Sequence, residues 1–242
     1  MVCRIADFNI ELIVGYNHIK RICEDYVIDD TSETDFYVVT TKEDIDTEIA
    51  LATEQGEYHG ESRSYLESLA VYRKIAAKVL SYDAFLMHGA LIEYEGKGYL
   101  FTAKSGTGKT THINLWRQTF GEDKVTIVNG DKPIIRFIDG KVYAYGTPWC
   151  GKEGYNVNKR VELCGVAFIE RDEENSIVKI SDLEALPRIL SQVMVADSAN
   201  LEKQLDLLDR LLNSVPTYLL KCNMNADAAI IAHDGMKPNL EV

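Results

Sequence analysis

Eight consecutive residues, Ala103-Lys104-Ser105-Gly106-Thr107-Gly108-Lys109-Thr110, constrain this chain more than any other feature. They follow the strand-like run GYLFTA and open an amphipathic pattern through Trp116 and Phe120. A glycine-rich turn between a strand and a helix, closed by Lys and Thr, fits the phosphate-binding loop. Gly106 and Gly108 permit backbone angles that other residues resist. Successive N–H groups then point inward as an anion nest, and the helix aims its positive end at the same place. On this reading Ser105, Gly106, Thr107, Gly108, Lys109, Thr110 and Thr111 bind the phosphates of ATP or ADP. Lys109 reaches the β- and γ-phosphates, and Thr110 offers a hydroxyl to Mg²⁺. The second metal group should end a neighbouring strand. Lys124–Asn129 (KVTIVN) is such a strand and leads into Asp131, which is read as the other Mg²⁺ ligand.

The rest of the composition narrows the partners. The 242 residues carry 26 Lys and Arg against 38 Asp and Glu, a formal charge of −12. No Lys/Arg run provides the basic face that nucleic acid or an anionic membrane demands. A nucleotide held by local dipoles is compatible with an acidic chain. The five cysteines are odd in number and form no C-x-x-C pair, so neither a zinc site nor a disulfide framework is expected, and a reduced, cytoplasmic compartment is. Arg4, Asp7 and Glu11 interrupt the apolar N-terminus, which predicts no secretory leader. No run of about 18 uncharged apolar residues predicts a membrane span.

Two regions are expected. Residues 1–80 read as a small α+β segment, and 81–242 as the phosphate-loop domain. In the first, Arg4–Val14 predicts one or two strands and Phe36–Thr40 another; Glu24–Asp30 and Lys42–Glu48 read as solvated acidic faces. Residues 62–80 predict a helix, its apolar stripe broken by Arg73, packed on the sheet that follows. In the second, FLMHGALIEY and GYLFTA read as a hairpin, and KPIIRF and KVYAYG as another across Asp139–Gly140. Residues 161–171 predict a long strand, Leu183–Val193 and Leu201–Leu212 helices, Val215–Lys221 a strand and Asn225–Met236 a closing helix. Core packing accounts for the Leu-rich helices, with a homo-oligomer interface as the alternative. Local antiparallel pairs beside the loop predict an α/β fold with a mixed sheet and flanking helices rather than the parallel sheet of ordinary phosphate-loop enzymes.

At this point the chain resembles the HPr kinase/phosphorylase catalytic domain, whose nucleotide fold is that of phosphoenolpyruvate carboxykinase. The resemblance rests on Met87-His88-Gly89-Ala90, on Ser105–Thr111, on Asn129-Gly130-Asp131-Lys132-Pro133 and on Gly146-Thr147-Pro148-Trp149-Cys150-Gly151-Lys152, within residues 85–236. It implies ATP·Mg²⁺ as cofactor, Asp131 as the metal-side member of the family's acid pair, and His88 as the histidine beside that pair. The pair's first acid, the proton acceptor in that family, is Gly130 here. A glycine at that position would leave space for an acceptor.

Trp149–Asn156 combines an aromatic, two charges and an amide between glycines, as substrate loops do. Lys152 is expected to neutralise transferring charge and Glu153 to accept the hydroxyl proton. Nothing near Cys150 supplies a base for a reactive thiol. Ser105 lacks the G-x-S-x-G context of a hydrolase nucleophile. His18, His59, His112 and His233 read as structural. The expected activity is phosphoryl transfer to a hydroxyl of a small polar metabolite, with a protein serine kinase or an inactive nucleotide-binding module as alternatives.

Overall fold

The computed structural model describes residues 1–29, 33–194 and 198–237 and divides the chain into two compact units, 1–79 and 80–242. The first unit begins with a hairpin of β1 (Val2–Ile5) and β2 (Phe8–Ile13), to which β3 (Phe36–Val39) adds in parallel on β2. Three helices complete it: α1 (Asn17–Ile22), α2 (Lys42–Glu54) and α3 (Arg63–Val79).

Two expectations change here. Lys42–Glu48 is not merely a solvated face but the first half of α2. Thr41 and Asp44 form a reciprocal capping box at its start, and Glu48 is buried. The break that Arg73 makes in the stripe of α3 is explained by that carboxylate: Arg73 Nε donates to Glu48 Oε1 at 2.6 Å. The α3 helix, expected to pack on a sheet, has its contacts with α1, α2 and β3 of its own unit.

The second unit runs β4 (Ala84–Leu86), β5 (Ala90–Tyr94), β6 (Lys97–Thr102), α4 (Lys109–Phe120), β7 (Val125–Asn129), β8 (Ile134–Ile138) and β9 (Lys141–Tyr145). It continues with β10 (Arg160–Arg171), β11 (Ser176–Lys179), α5 (Asp182–Leu190), α6 (Leu201–Ser214), β12 (Thr217–Cys222) and α7 (Asp227–Met236). The strands join in one mixed sheet in the order β4-β8-β9-β10-β6-β5-β7. β10 also pairs with β12, and β12 with β11. The pairs β6–β10 and β10–β12 are parallel; the others are antiparallel. Asp139 and Gly140 turn the β8–β9 hairpin with φ of 49° and 76°, as a two-residue hairpin requires.

The run read as a single strand, FLMHGALIEY, is two. β4 pairs with β8, whereas β5 pairs with β6 and β7. Between them the chain bonds elsewhere: the His88 N–H donates to the Gln192 carbonyl and the Gly89 N–H to the Asp131 carbonyl, each at 2.7 Å. β11, unassigned from the sequence, pairs with β12 at the sheet margin.

Apolar residues fill both faces. One cluster sets Phe85, Met87 and Leu100 against Ile189, Leu207 and Leu211 from α5 and α6. The other sets Phe101, Ile127 and Leu220 against Trp116 of α4 and Ala229 and Met236 of α7. Burying a side chain of this size contributes about 1.5–3 kcal/mol, so two continuous cores fix the sheet firmly.

Candidate functional site

Sheet topology brings the candidate residues to one edge. β5 lies between β6 and β7 and runs antiparallel to both. The ends of β6 and β7 and the start of β5 therefore share a side. The 103–108 loop leaves β6, Asp131 follows β7, and His88 precedes β5. That edge also holds the carboxyl ends of β10 and β12, where ligands bind in open α/β sheets.

The loop has the conformation that its glycines allow. Gly106 has φ of 78° and Gly108 of 128°. Gly108 caps α4, whose first residue is Lys109. Lys109 is 8% exposed, and its ammonium donates to the Ala103 carbonyl at 3.0 Å. Burial lowers its pKa; the charge of Asp131 works against that, and Lys132 reinforces it. Ser105 and Thr111 are exposed and Thr110 is half-buried, so all three lie open to a ligand at the helix start.

Asp131 sits in a built socket. Its Oδ1 lies 3.1 Å from His88 Nε2, and its Oδ2 accepts from Lys132 Nζ at 3.0 Å. Burial raises its pKa, but the bond from His88 and the charge and bond of Lys132 outweigh it and bring the carboxyl down to about 2. Asn129 fixes the turn that carries it: Oδ1 accepts the N–H of Asp131 at 2.9 Å and of Lys132 at 2.6 Å, while Nδ2 donates to Thr147. The His88 ring is oriented from its other side, where Nδ1 lies 3.2 Å from Gln192 Oε1. The Gln192 amide donates in turn to Ser191 Oγ, whose own hydroxyl donates to the Arg188 carbonyl. Both nitrogens of His88 thus face oxygen acceptors. Gln192 was not singled out from the sequence; a lone glutamine at a helix end carries no signal there.

The 149–156 loop meets this socket at Gly130. A Cβ added at Gly130 would lie 2.7 Å from the Cys150 carbonyl oxygen and 3.4 Å from Tyr155 Cβ. The expected space is therefore already filled by backbone. Trp149 is 7% exposed, so its ring belongs to the interior and is not offered to an acceptor. Lys152 and Glu153 are exposed in the following turn. A Cβ at Gly151 would lie 3.3 Å from Asp131 Cβ and 3.6 Å from Glu153 Oε2, so both side chains approach that glycine. Cys150 is half-buried, and its thiol pKa is raised by burial and by the charges of Asp131 and Glu153. Such a thiol is a poor nucleophile.

Of the other histidines, His112 is buried in α4 and accepts from Trp116 Nε1 at 3.0 Å. His233 packs among Tyr94, Trp116 and Phe120. Among the described residues, no cluster of three or more His, Cys, Asp or Glu is arranged to hold a metal, and no helix is long and apolar enough to cross a membrane. A Mg²⁺ ion brought in with a nucleotide asks less: one or two carboxylates, phosphate oxygens and water. The hydroxyl of Thr110 and the ionised Asp131, each oxygen of which keeps a further lone pair, suit that donor set.

No protein family model matches the chain, and no curated protein matches it. Among solved structures it is similar to the HPr(Ser) kinase/phosphatase from Coxiella burnetii, at 11% identity and a TM-score of 0.38, over 63% of this chain and 88% of that one.

Proposed function

We propose that this chain is an ATP- and Mg²⁺-dependent kinase that transfers a phosphoryl group to a hydroxyl of a small polar metabolite such as a polyol or serine. The observation that carries the reading is the single sheet edge shared by the 103–110 loop, buried Lys109, ionised Asp131 and His88. Phosphoryl transfer asks a protein mainly for positioning and charge neutralisation. Loop N–H groups and Lys109 hold the phosphates. Thr110 and Asp131 hold Mg²⁺, which supplies charge neutralisation at the phosphate oxygens. The acceptor oxygen attacks the γ-phosphorus as the bond to the β-bridging oxygen breaks, and that electron pair leaves on ADP. The acceptor's proton passes to Glu153, and Lys152 balances charge on the transferring group. His88 orients Asp131.

A second reading has one observation in its favour. Position 130 carries no acid, as in a nucleotide-binding module that has lost turnover. The test is ADP release from ATP·Mg²⁺ with a panel of polyols, free serine and a serine peptide. Release that depends on a small hydroxyl compound is expected. Release only with the peptide would replace the metabolite reading by a protein kinase. Tight ADP binding with no release in any arm would leave the inactive module.

A further inference from the structure

β10 outruns its neighbour. It pairs with β6 in parallel up to Phe168 and Thr102, then continues to Arg171 after β6 has given way to the 103–108 loop. The overrun brings a guanidinium against that loop. Arg171 Nε donates to the Thr107 carbonyl at 2.8 Å, and Nη2 donates to the Gly106 carbonyl. The strand end is itself anchored: Arg171 is paired with Cys222 of β12, and the next residue, Asp172, forms an ion pair with Lys221 at 3.4 Å.

The consequence follows from peptide geometry. A trans peptide points its C=O and N–H to opposite sides. A guanidinium that takes the Thr107 carbonyl therefore turns the Gly108 N–H away from itself. Its grip on the Gly106 carbonyl likewise sets the Thr107 N–H, which closes on the Lys104 carbonyl at 3.2 Å. A Cβ added at Gly106 or Gly108 would meet nothing within 4 Å. A glycine turn gains from an outside constraint on its backbone, and the rigid five-donor fork of arginine provides a two-point one.

We infer that Arg171 is a positioning residue for the phosphate loop, holding the Gly106 and Thr107 carbonyls so that the Thr107 N–H closes the turn on Lys104 and the Gly108 N–H faces away from the arginine, toward an anion. The inference rests on the nucleotide reading above and adds a residue that lies 61 to 68 positions beyond the loop motif and that no loop pattern contains.

The test compares the native full chain with Arg171→Met and Arg171→Lys. Amide exchange across residues 104–110 without nucleotide reads loop order directly, and ADP·Mg²⁺ and inorganic pyrophosphate are titrated separately. Arg171→Met should speed exchange of the loop amides and weaken ADP and pyrophosphate by the same factor, roughly tenfold or more, as for loss of hydrogen bonds to a charged group. The melting point should stay within a few degrees. Arg171→Lys, a point charge that cannot span two carbonyls, should restore only part of both effects. Unchanged loop exchange in Arg171→Met overturns the inference whether or not a nucleotide binds. So does a loss for ADP with none for pyrophosphate, which would put Arg171 on the base or ribose. If the native chain binds neither probe while exchange responds as expected, the nucleotide reading fails and the loop-holding role of Arg171 stands.

Discussion

Replacing Gly130 by alanine tests how closely the 149–156 loop is seated on the end of β7. The new methyl carbon would lie 2.7 Å from the Cys150 carbonyl oxygen and 3.4 Å from Tyr155 Cβ. Both neighbours are held in place. The Gly130 N–H donates to the Tyr155 carbonyl at 2.8 Å, Val157 N–H donates to Val128 at 3.0 Å, and Asn156 Nδ2 donates to Thr147 at 3.2 Å. Forcing an extra methyl into packed surroundings costs about 1–3 kcal/mol. Weakening the Gly130–Tyr155 hydrogen bond adds about 1 kcal/mol. The lower entropy of alanine in the unfolded chain returns about 0.5 kcal/mol. The net loss of about 1.5–3.5 kcal/mol corresponds to a fall in Tm of roughly 3–14 °C for a chain of this size. Differential scanning calorimetry measures it. A loop that lifts to relieve the clash would instead expose Cys150, so thiol labelling at that residue, read by mass spectrometry, is the companion assay. A variant with native Tm and native labelling rate would refute the seating of the loop against Gly130.

Lys109→Ala should abolish most of the stabilisation by Mg²⁺·ADP, which for the native chain at 100 times Kd amounts to about 2.7 kcal/mol; an equal shift in both proteins in a melting scan would remove Lys109 from the phosphates. Asp131 has a carboxyl pKa lowered to about 2, so the stability it adds is complete above pH 4 and lost as the pH falls toward 2. Asp131→Asn should cost about 2–3 kcal/mol at pH 7, and urea titrations at descending pH should see the two proteins converge between pH 4 and pH 2. A difference that does not vary with pH would show that the carboxylate's bonds to His88 and Lys132 carry no net energy.

What the sequence disclosed follows from how local each signal is. Glycine spacing and the flanking strand and helix are fixed within about fifteen residues, so the glycine turn between β6 and α4 was readable. The Asp-Gly turn between β8 and β9 was legible for the same reason. The N-terminal unit was less so, because several of its buried polar contacts join residues far apart in sequence. Buried Glu67 accepts from Gly15 N–H at 2.7 Å, Tyr16 N–H at 2.9 Å and Thr40 Oγ1 at 2.8 Å, and the capped helix α2 hides Glu48 against Arg73. In sequence these look like solvated charges. The same limit applies to Gln192 behind His88 and to Arg171 on the loop. Each is an ordinary surface-type residue until the sheet brings distant segments together. Trp149 shows the converse error, since an aromatic between glycines signals a loop contact and a core plug equally well.

Packing at Gly130 also bears on where a base for phosphoryl transfer would come from. In the family that the chain resembles, a carboxylate at this position takes the acceptor's proton. Here the volume is occupied by the Cys150 carbonyl, which can accept a hydrogen bond but cannot carry a proton away at neutral pH. Asp131 is close, yet both its oxygens are engaged and its pKa is held at about 2, so it is a weak base near pH 7. Glu153, exposed and close to Gly151, is the carboxylate that the proposed function assigns to the acceptor's proton. Glu153→Gln keeps the size and the turn and removes the basicity. A positioned base is worth 10²–10⁴ in rate, so the variant should lose at least about 100-fold in kcat with unchanged affinity for ADP. A loss below about threefold would sink Glu153 as the base. The proton would then have to leave on the phosphoryl oxygens themselves, with the enzyme supplying position and charge alone.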